Sequence, residues 1–431
     1  MRIPLRVVAV TAILLGLCAP QRAVLAQSSD EYTPPGGPSG RPVPQKQGLE
    51  TAYENARFRF GPLRVDPRFS LQDVSYIDNV YGTETQTKSD FTATIGAGLR
   101  AYLRTGRKVI WNAHYLPKYV WWKDLTDRRR FNNRFGLGVA AYGNRFTLEA
   151  QAERDEEQHI VTAEVLQPAS LRQDHGALNV DAQLATSLSA VVGVSLTEYT
   201  SLTDILPTAG IPIGTSLRLL DRRESVERAG LRYTPESDLA ISLLGEHTDT
   251  RFGRGALNRS NSGISPVLEF KLDRKRTFVR ADVAARSLDS DRGGQFVSFH
   301  QATGSADVGL GVGGRLELWF YGNRNLAYSL LPAYSYLTDE RVGVAPRLKL
   351  GWRTYFRVYA ETGDQHYFVF TPGTPKRTDD YTAYGAVLHM DFASAAAFEL
   401  KGGHTSYTSN LKGFDRSFDS FTVGLVFSGD L

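Results

Sequence analysis

From about residue 57 onward, apolar and polar residues alternate one by one over stretches of 12 to 15 residues. Between Asp90 and Arg104, the residues Phe91, Ala93, Ile95, Ala97, Leu99, Ala101 and Leu103 alternate with Thr92, Thr94, Gly96, Gly98, Arg100 and Tyr102. Successive side chains of a β-strand point to opposite faces, so this stretch predicts a strand with one apolar and one polar face. Arg145–Asp155 repeats the pattern: Phe146, Leu148, Ala150 and Ala152 oppose Thr147, Glu149, Gln151 and Glu153. Eighteen such segments are predicted, the first over 66–79, the third over 108–123 and the last over 416–428.

Two features separate this pattern from a soluble sandwich. The segments are long, whereas strands of soluble proteins cluster near 5–6 residues. The links also alternate in length. Those after even-numbered segments are short, around Gly106, Gly143-Asn144, Pro235, Arg274-Lys275, Gly313-Gly314, Gly351-Trp352 and Ala393–Ala395. Those after odd-numbered segments are mostly longer, 158–173 and 203–220 being the largest. Short turns at one rim and long loops at the other predict an all-β fold, a transmembrane antiparallel up-and-down β-barrel with both termini periplasmic. Residues 57–431 form the barrel in this reading. Aromatics fit a membrane boundary: Trp111, Tyr119 and Trp121 share one face of the third segment, and Tyr and Trp favour the headgroup region. A closed sheet also leaves no unpaired edge in lipid, and Phe421, Val423, Leu425 and Phe427 carry the outward alternation into the final strand.

The front of the chain differs. Arg2 and Arg6, an apolar run from Val7 to Leu17 and Val24-Leu25-Ala26 read as a cleaved signal peptide over 1–26. That run is too short for the roughly 20 residues a membrane-spanning helix needs. Residues 27–56, with Pro34-Pro35-Gly36-Gly37-Pro38, read as a flexible periplasmic tail rich in Pro, Gly and Ser. Cleavage removes Cys18, the single cysteine, so disulfides and thiolate metal sites are not expected. It also removes Arg2, Arg6 and Arg22, taking the formal charge from +4 to +1. A nearly neutral chain offers no electrostatic footing for nucleic acid.

Eighteen strands enclose an aqueous lumen, so residues on the polar face are the candidates for function. The cationic ones include Arg100, Arg104, Lys118, Arg280, Arg286 and Arg357. The acidic ones include Glu149, Glu153, Asp282, Glu317 and Glu361. This mixture of sign predicts a hydrated, internally paired wall suited to a neutral or weakly charged solute. Tyr102, Tyr142, Trp319, Tyr355 and Tyr359 fall on the same face and offer rings on which sugars stack. The eight histidines are scattered singly, and neither His-Glu-x-x-His nor Gly-x-Ser-x-Gly occurs. No catalytic centre and no cofactor is expected. The expected partners are outer-membrane lipid and lipopolysaccharide and the barrel-insertion machinery. Asp289-Ser290-Asp291 and Thr378-Asp379-Asp380 are read as solvated external loop clusters rather than a metal site.

Leu71-Gln72-Asp73-Val74-Ser75-Tyr76-Ile77-Asp78-Asn79-Val80-Tyr81, followed by Ser89-Asp90-Phe91 and the glycine-bearing strand to Leu103, resembles the outer-membrane β-barrel porin 2 family. That resemblance implies a channel or export component in polysaccharide secretion, with polysaccharide and periplasmic export proteins as further partners. A general diffusion porin for small solutes is the alternative reading of the same residues. A plugged structural or adhesive barrel is another.

Overall fold

A computed structural model describes residues 35–36, 45–77, 80, 88–203, 216–253, 258–291, 294–351, 353–393 and 396–427. The signal peptide read over 1–26 lies outside the described residues. One helix, α1 (Gln45–Asn55), is followed by the strands β1 (Phe58–Phe60), β2 (Leu63–Ile77), β3 (Asp90–Thr105), β4 (Val109–Tyr115), β5 (Lys118–Trp122) and β6 (Arg130–Tyr142). Next come β7 (Phe146–Thr162), β8 (Val165–Ala185), β9 (Leu188–Ser201), β10 (Arg222–Glu236), β11 (Leu239–Phe252) and β12 (Asn261–Asp273). The sheet continues with β13 (Thr277–Ser290), β14 (Phe299–Val312), β15 (Leu316–Tyr328) and β16 (Tyr334–Lys349). Its last strands are β17 (Thr354–Val369), β18 (Thr378–Ala393), β19 (Ala396–Ser409) and β20 (Arg416–Phe427).

Each wall strand pairs antiparallel with the next, and β20 lies against β2, which closes the sheet. The stub β1 pairs with β2 alone. β4 and β5 both lie between β3 and β6, so they are one wall strand broken at Leu116-Pro117. Proline has no N–H for the ladder; the Pro117 carbonyl accepts from Ala97 N–H instead, at 3.3 Å. With the stub set aside and the broken strand counted once, the wall has eighteen strands among the described residues. The continuous third strand expected over 108–123 is therefore interrupted, because a proline stands in its middle.

The wall is inside-out relative to a soluble protein. Phe131 (69%), Leu137 (67%), Leu243 (64%) and Ile264 (69%) are exposed, whereas Glu246 (1%), Arg280 (1%) and Gln365 (0%) are buried. Large apolar side chains stand outward at every second position and polar ones fill the interior. A continuous outward apolar belt of this kind belongs in hydrocarbon. Trp111, Tyr233 and Phe146 are exposed on the belt near the short turns, at the headgroup level. Among the described residues no helix is long and apolar enough to cross a membrane. The chain is a transmembrane β-barrel of the outer membrane.

The short turns at 106–108, 143–145, 186–187, 237–238, 274–276 and 313–315 share one rim, the periplasmic one by the rule for such barrels. Gly106, Gly313 and Gly314 adopt φ of 64°, 60° and 79° there, a region that favours glycine. At the opposite rim one expectation fails: 158–173 is not a loop. β7 and β8 continue through it and meet at Ala163-Glu164, so this external connection is the tightest of all.

Candidate functional site

The candidate charges stand on strand faces opposite the exposed apolar side chains, as Arg100 and Arg104 do beside Leu99 and Leu103. Most carry a partner. Glu153 accepts from Arg134 at 2.6 Å, with His114 3.9 Å away. Lys118 reaches Glu157 at 2.8 Å. Glu246 is clamped between Arg228 and Arg286, and Arg286 also donates to Thr303 and Thr248. Asp282 accepts from the Ser305 hydroxyl at 2.7 Å. Glu317 bridges Arg347 and Lys349. Arg347 lies 4.0 Å over the Tyr355 ring, which also stacks on His389. Arg357 stands opposite Arg347 in the ladder. Glu149 lies beside Tyr142, Arg100 faces His114 across β3 and β4, and Arg280 is almost wholly buried. In a low-dielectric wall such pairing holds each charge in place, where a lone ion would be costly.

The external end is capped from within. The tip of the β7–β8 hairpin leans across the lumen to the wall made by β18–β20. Ala163 packs on Tyr381, Ala383 and Tyr407, and its carbonyl accepts from Arg416 Nε at 3.1 Å. Glu164, 4% exposed, accepts from the Ser329 hydroxyl at 2.7 Å and from the Leu330 N–H. Ser329 and Leu330 form the inward turn between β15 and β16, so two hairpins meet over the pore. Arg259, 1% exposed, secures that second turn by donating to the carbonyls of Ser329, Leu331 and Tyr334. Buried backbone groups need such partners. An apolar cluster fills the space around them, with Leu217, Leu220, Phe296, Phe299, Leu326, Tyr328, Leu330 and Tyr336 at its heart.

Behind the tip, buried arginines and rings hold the wall. Arg416 binds Asp379 at 2.8 Å and Gln365 at 3.0 Å while lying 3.9 Å over Tyr407. Arg377 also binds Asp379 and lies 4.2 Å over Tyr367. Thr378-Asp379-Asp380 is thus the start of a strand, and Asp379 is fully buried; the expectation of a solvated loop cluster there does not hold. Asp291 pairs with Arg251. No group of three or more metal-ligating side chains forms among the described residues.

Two described parts of the expected tail, Gly36 and α1, lie against the barrel's inner face. α1 lies at the periplasmic rim, where Tyr53 packs on Tyr102 between the guanidinium groups of Arg64 (4.8 Å) and Arg104 (4.3 Å). Arg104 also pairs with Glu54 at 3.4 Å. Gly36 is buried deeper, donating its N–H to Glu361 and packing on the Tyr359 ring. The reading of 27–56 as a free tail is corrected for these residues. Low hydrophobicity did not prevent order, because the barrel interior offers polar partners that the segment lacks by itself. Glu361 and Tyr359 therefore hold the chain's own backbone.

The cap was hidden from sequence reasoning, since Glu164 and Ser329 lie 165 residues apart. A weak signal existed: Val161, Thr162 and Val165 are β-branched, which suits a strand better than a loop.

No protein-family model matches the chain, and no curated protein matches it. The resemblance to the porin 2 family thus gains no independent support. Solved structures do match. OccK2 (OpdF) of Pseudomonas aeruginosa, in complex with glucuronate, is similar over 84% of this chain and 98% of its own, at 12% identity and a TM-score of 0.51. OccAB4 of Acinetobacter baumannii matches 84% of this chain and 97% of its own, at 10% identity and a TM-score of 0.48. OpdL of Pseudomonas aeruginosa aligns with 84% of this chain and 98% of its own, at 9% identity and a TM-score of 0.48. Together with the closed eighteen-strand wall and its outward apolar belt, the first of these likenesses gives the chain the fold of outer-membrane porins.

Proposed function

We propose that the barrel is a diffusion channel for small solutes. The observation that carries this is the β7–β8 tip, which crosses the lumen and is fastened on the far side through Glu164 and the Ala163 carbonyl. Eighteen strands alone leave an open aqueous channel; a hairpin fastened across it, with Gly36 on β17 beside the docking wall, narrows that channel. A narrowed channel favours single small molecules over a threading polymer, so the reading of polysaccharide export has the weaker support. The paired wall charges favour no strong ion selectivity, since a selective filter needs a ring of one sign. The test is planar-bilayer conductance together with swelling of liposomes in sugars of increasing size. The expected result is small, steady conductance and a sharp cut-off between mono- or disaccharides and longer oligomers. Passage of long oligosaccharides through the intact protein would overturn it.

A further inference from the structure

The periplasmic half of the wall carries a cavity of about 310 Å³ between β13 and β16, opening to the lumen. Its shape comes from two missing side chains. Gly309 and Gly311 stand on the inner face of β14, and the Phe278 ring lies down over Gly309, where any Cβ would collide with it. Phe278 and Trp319 meet edge to face at 5.0 Å and form the floor. Beyond them the space over Gly311 stays open: a Cβ there would meet only the Arg276 carbonyl and chain, at ordinary van der Waals distance.

The rim is basic. Lys275, Arg276, Arg347 and Lys349 line the cavity, and Glu317 is its one acid. Glu317 is already held by Arg347 at 3.4 Å and Lys349 at 2.5 Å. Neighbouring Arg274 is spent on Glu236 and Asp238. Lys275 and Arg276 have no carboxylate partner among the described residues. Four cations against one carboxylate leave an excess of positive charge beside an aromatic floor, unlike the balanced wall elsewhere. Ligand pockets span roughly 300–1,000 Å³, so this one suits a single ring.

We propose that this cavity is a binding subsite for a single-ring organic acid, its carboxylate turned to the Lys275–Arg276 turn and its ring over Phe278 and Trp319. The assignment rests on the channel reading only in that the cavity opens to the transport path. It differs from the neutral solute that the mixed wall charges suggest, because the excess charge is local to one turn. Bound here, the acid would be held at the periplasmic exit.

The test uses the whole mature chain refolded in detergent, with equilibrium dialysis against radiolabelled galacturonate and, separately, its neutral counterpart galactose. Saturable binding of the acid alone is expected, weakening as salt screens the charges. Gly311→Phe fills the cavity and leaves the charges; Lys275→Ser with Arg276→Ser removes charge and leaves the cavity. Each is expected to weaken binding at least tenfold. Should the first variant fail to fold, the second, on an exposed turn, decides. Equal binding of galactose, no binding of either sugar, or unchanged affinity in the folded variants would overturn the subsite. Conductance of the same preparations separates the two readings. Conductance without binding removes the subsite and leaves the channel, whereas binding without conductance upholds the subsite and removes the channel.

Discussion

The two mouths of this barrel are obstructed in opposite ways. At the external mouth the obstruction is the wall itself, folded inward. Arg259, Glu164, Asp379 and Arg416 are almost fully buried there and bonded to one another's turns. At the periplasmic mouth the obstruction is an added segment, α1, held by one small buried contact of Tyr53 on Tyr102 and by an ion pair half open to water: the side chain of Glu54 is 61% exposed and that of Arg104 28%. Buried, fully bonded polar groups are expensive to disrupt, whereas exposed ion pairs contribute about 0–1 kcal/mol. The difference teaches that the outer cap is part of the fold and the inner plug is a guest of it.

Breaking the cap at its most buried point gives the largest expected effect. Arg259→Ala leaves the carbonyls of Ser329, Leu331 and Tyr334 without their donor, at a cost on the order of 3 kcal/mol. Single-channel conductance should rise severalfold as the β15–β16 turn lets go, and an unchanged conductance would place the constriction elsewhere. Next comes Glu164→Ala, which frees the second hairpin at a cost of about 2 kcal/mol. A double-mutant cycle with Ser329→Ala should show a coupling of about 1 kcal/mol between the two hairpins; strict additivity in thermal gel-shift midpoints would mean that the tips do not support one another.

The inner plug answers more weakly. Tyr53→Ala removes the buried ring between Arg64 and Arg104, each cation–π contact being worth about 0.5–2 kcal/mol. Hydrogen exchange over α1 should quicken while the unfolding midpoint of the barrel stays put; a lowered midpoint would make α1 integral and erase the contrast between the mouths. The smallest effect is expected from Lys118→Ala. Its ion pair with Glu157 is partly exposed, so stability measured by urea titration should move by less than about 1 kcal/mol.

The wall was legible in the sequence because lipid on one side and water on the other impose strict alternation along every strand. Phe91 to Leu103 shows this face by face, and Arg100 and Arg104 were placed by parity alone. The hairpin tip was not legible for the same reason. Once β7 and β8 rise above the belt and lean into protein, both faces meet side chains and the alternation ends. A stretch such as Val161-Thr162-Ala163-Glu164-Val165 then reads as a loop, and Pro168, which the register sets opposite Ile160, strengthens the false impression. α1 was missed because its order derives from Tyr102 and Arg104, residues about fifty positions ahead. Long-range partners leave no periodic trace.

The seam between β20 and β2 has a consequence for assembly. Every other wall strand finds its neighbours close by in sequence, so hairpins can zip up one after another. The seam alone joins strands separated by more than three hundred residues. Until it forms, two strand edges with unpaired backbone groups remain open, templates for any other chain that meets them. The barrel thus has no safe halfway stage. Its last step must happen inside an environment that shields both edges at once, and time spent before that step is when the chain is most prone to aggregate.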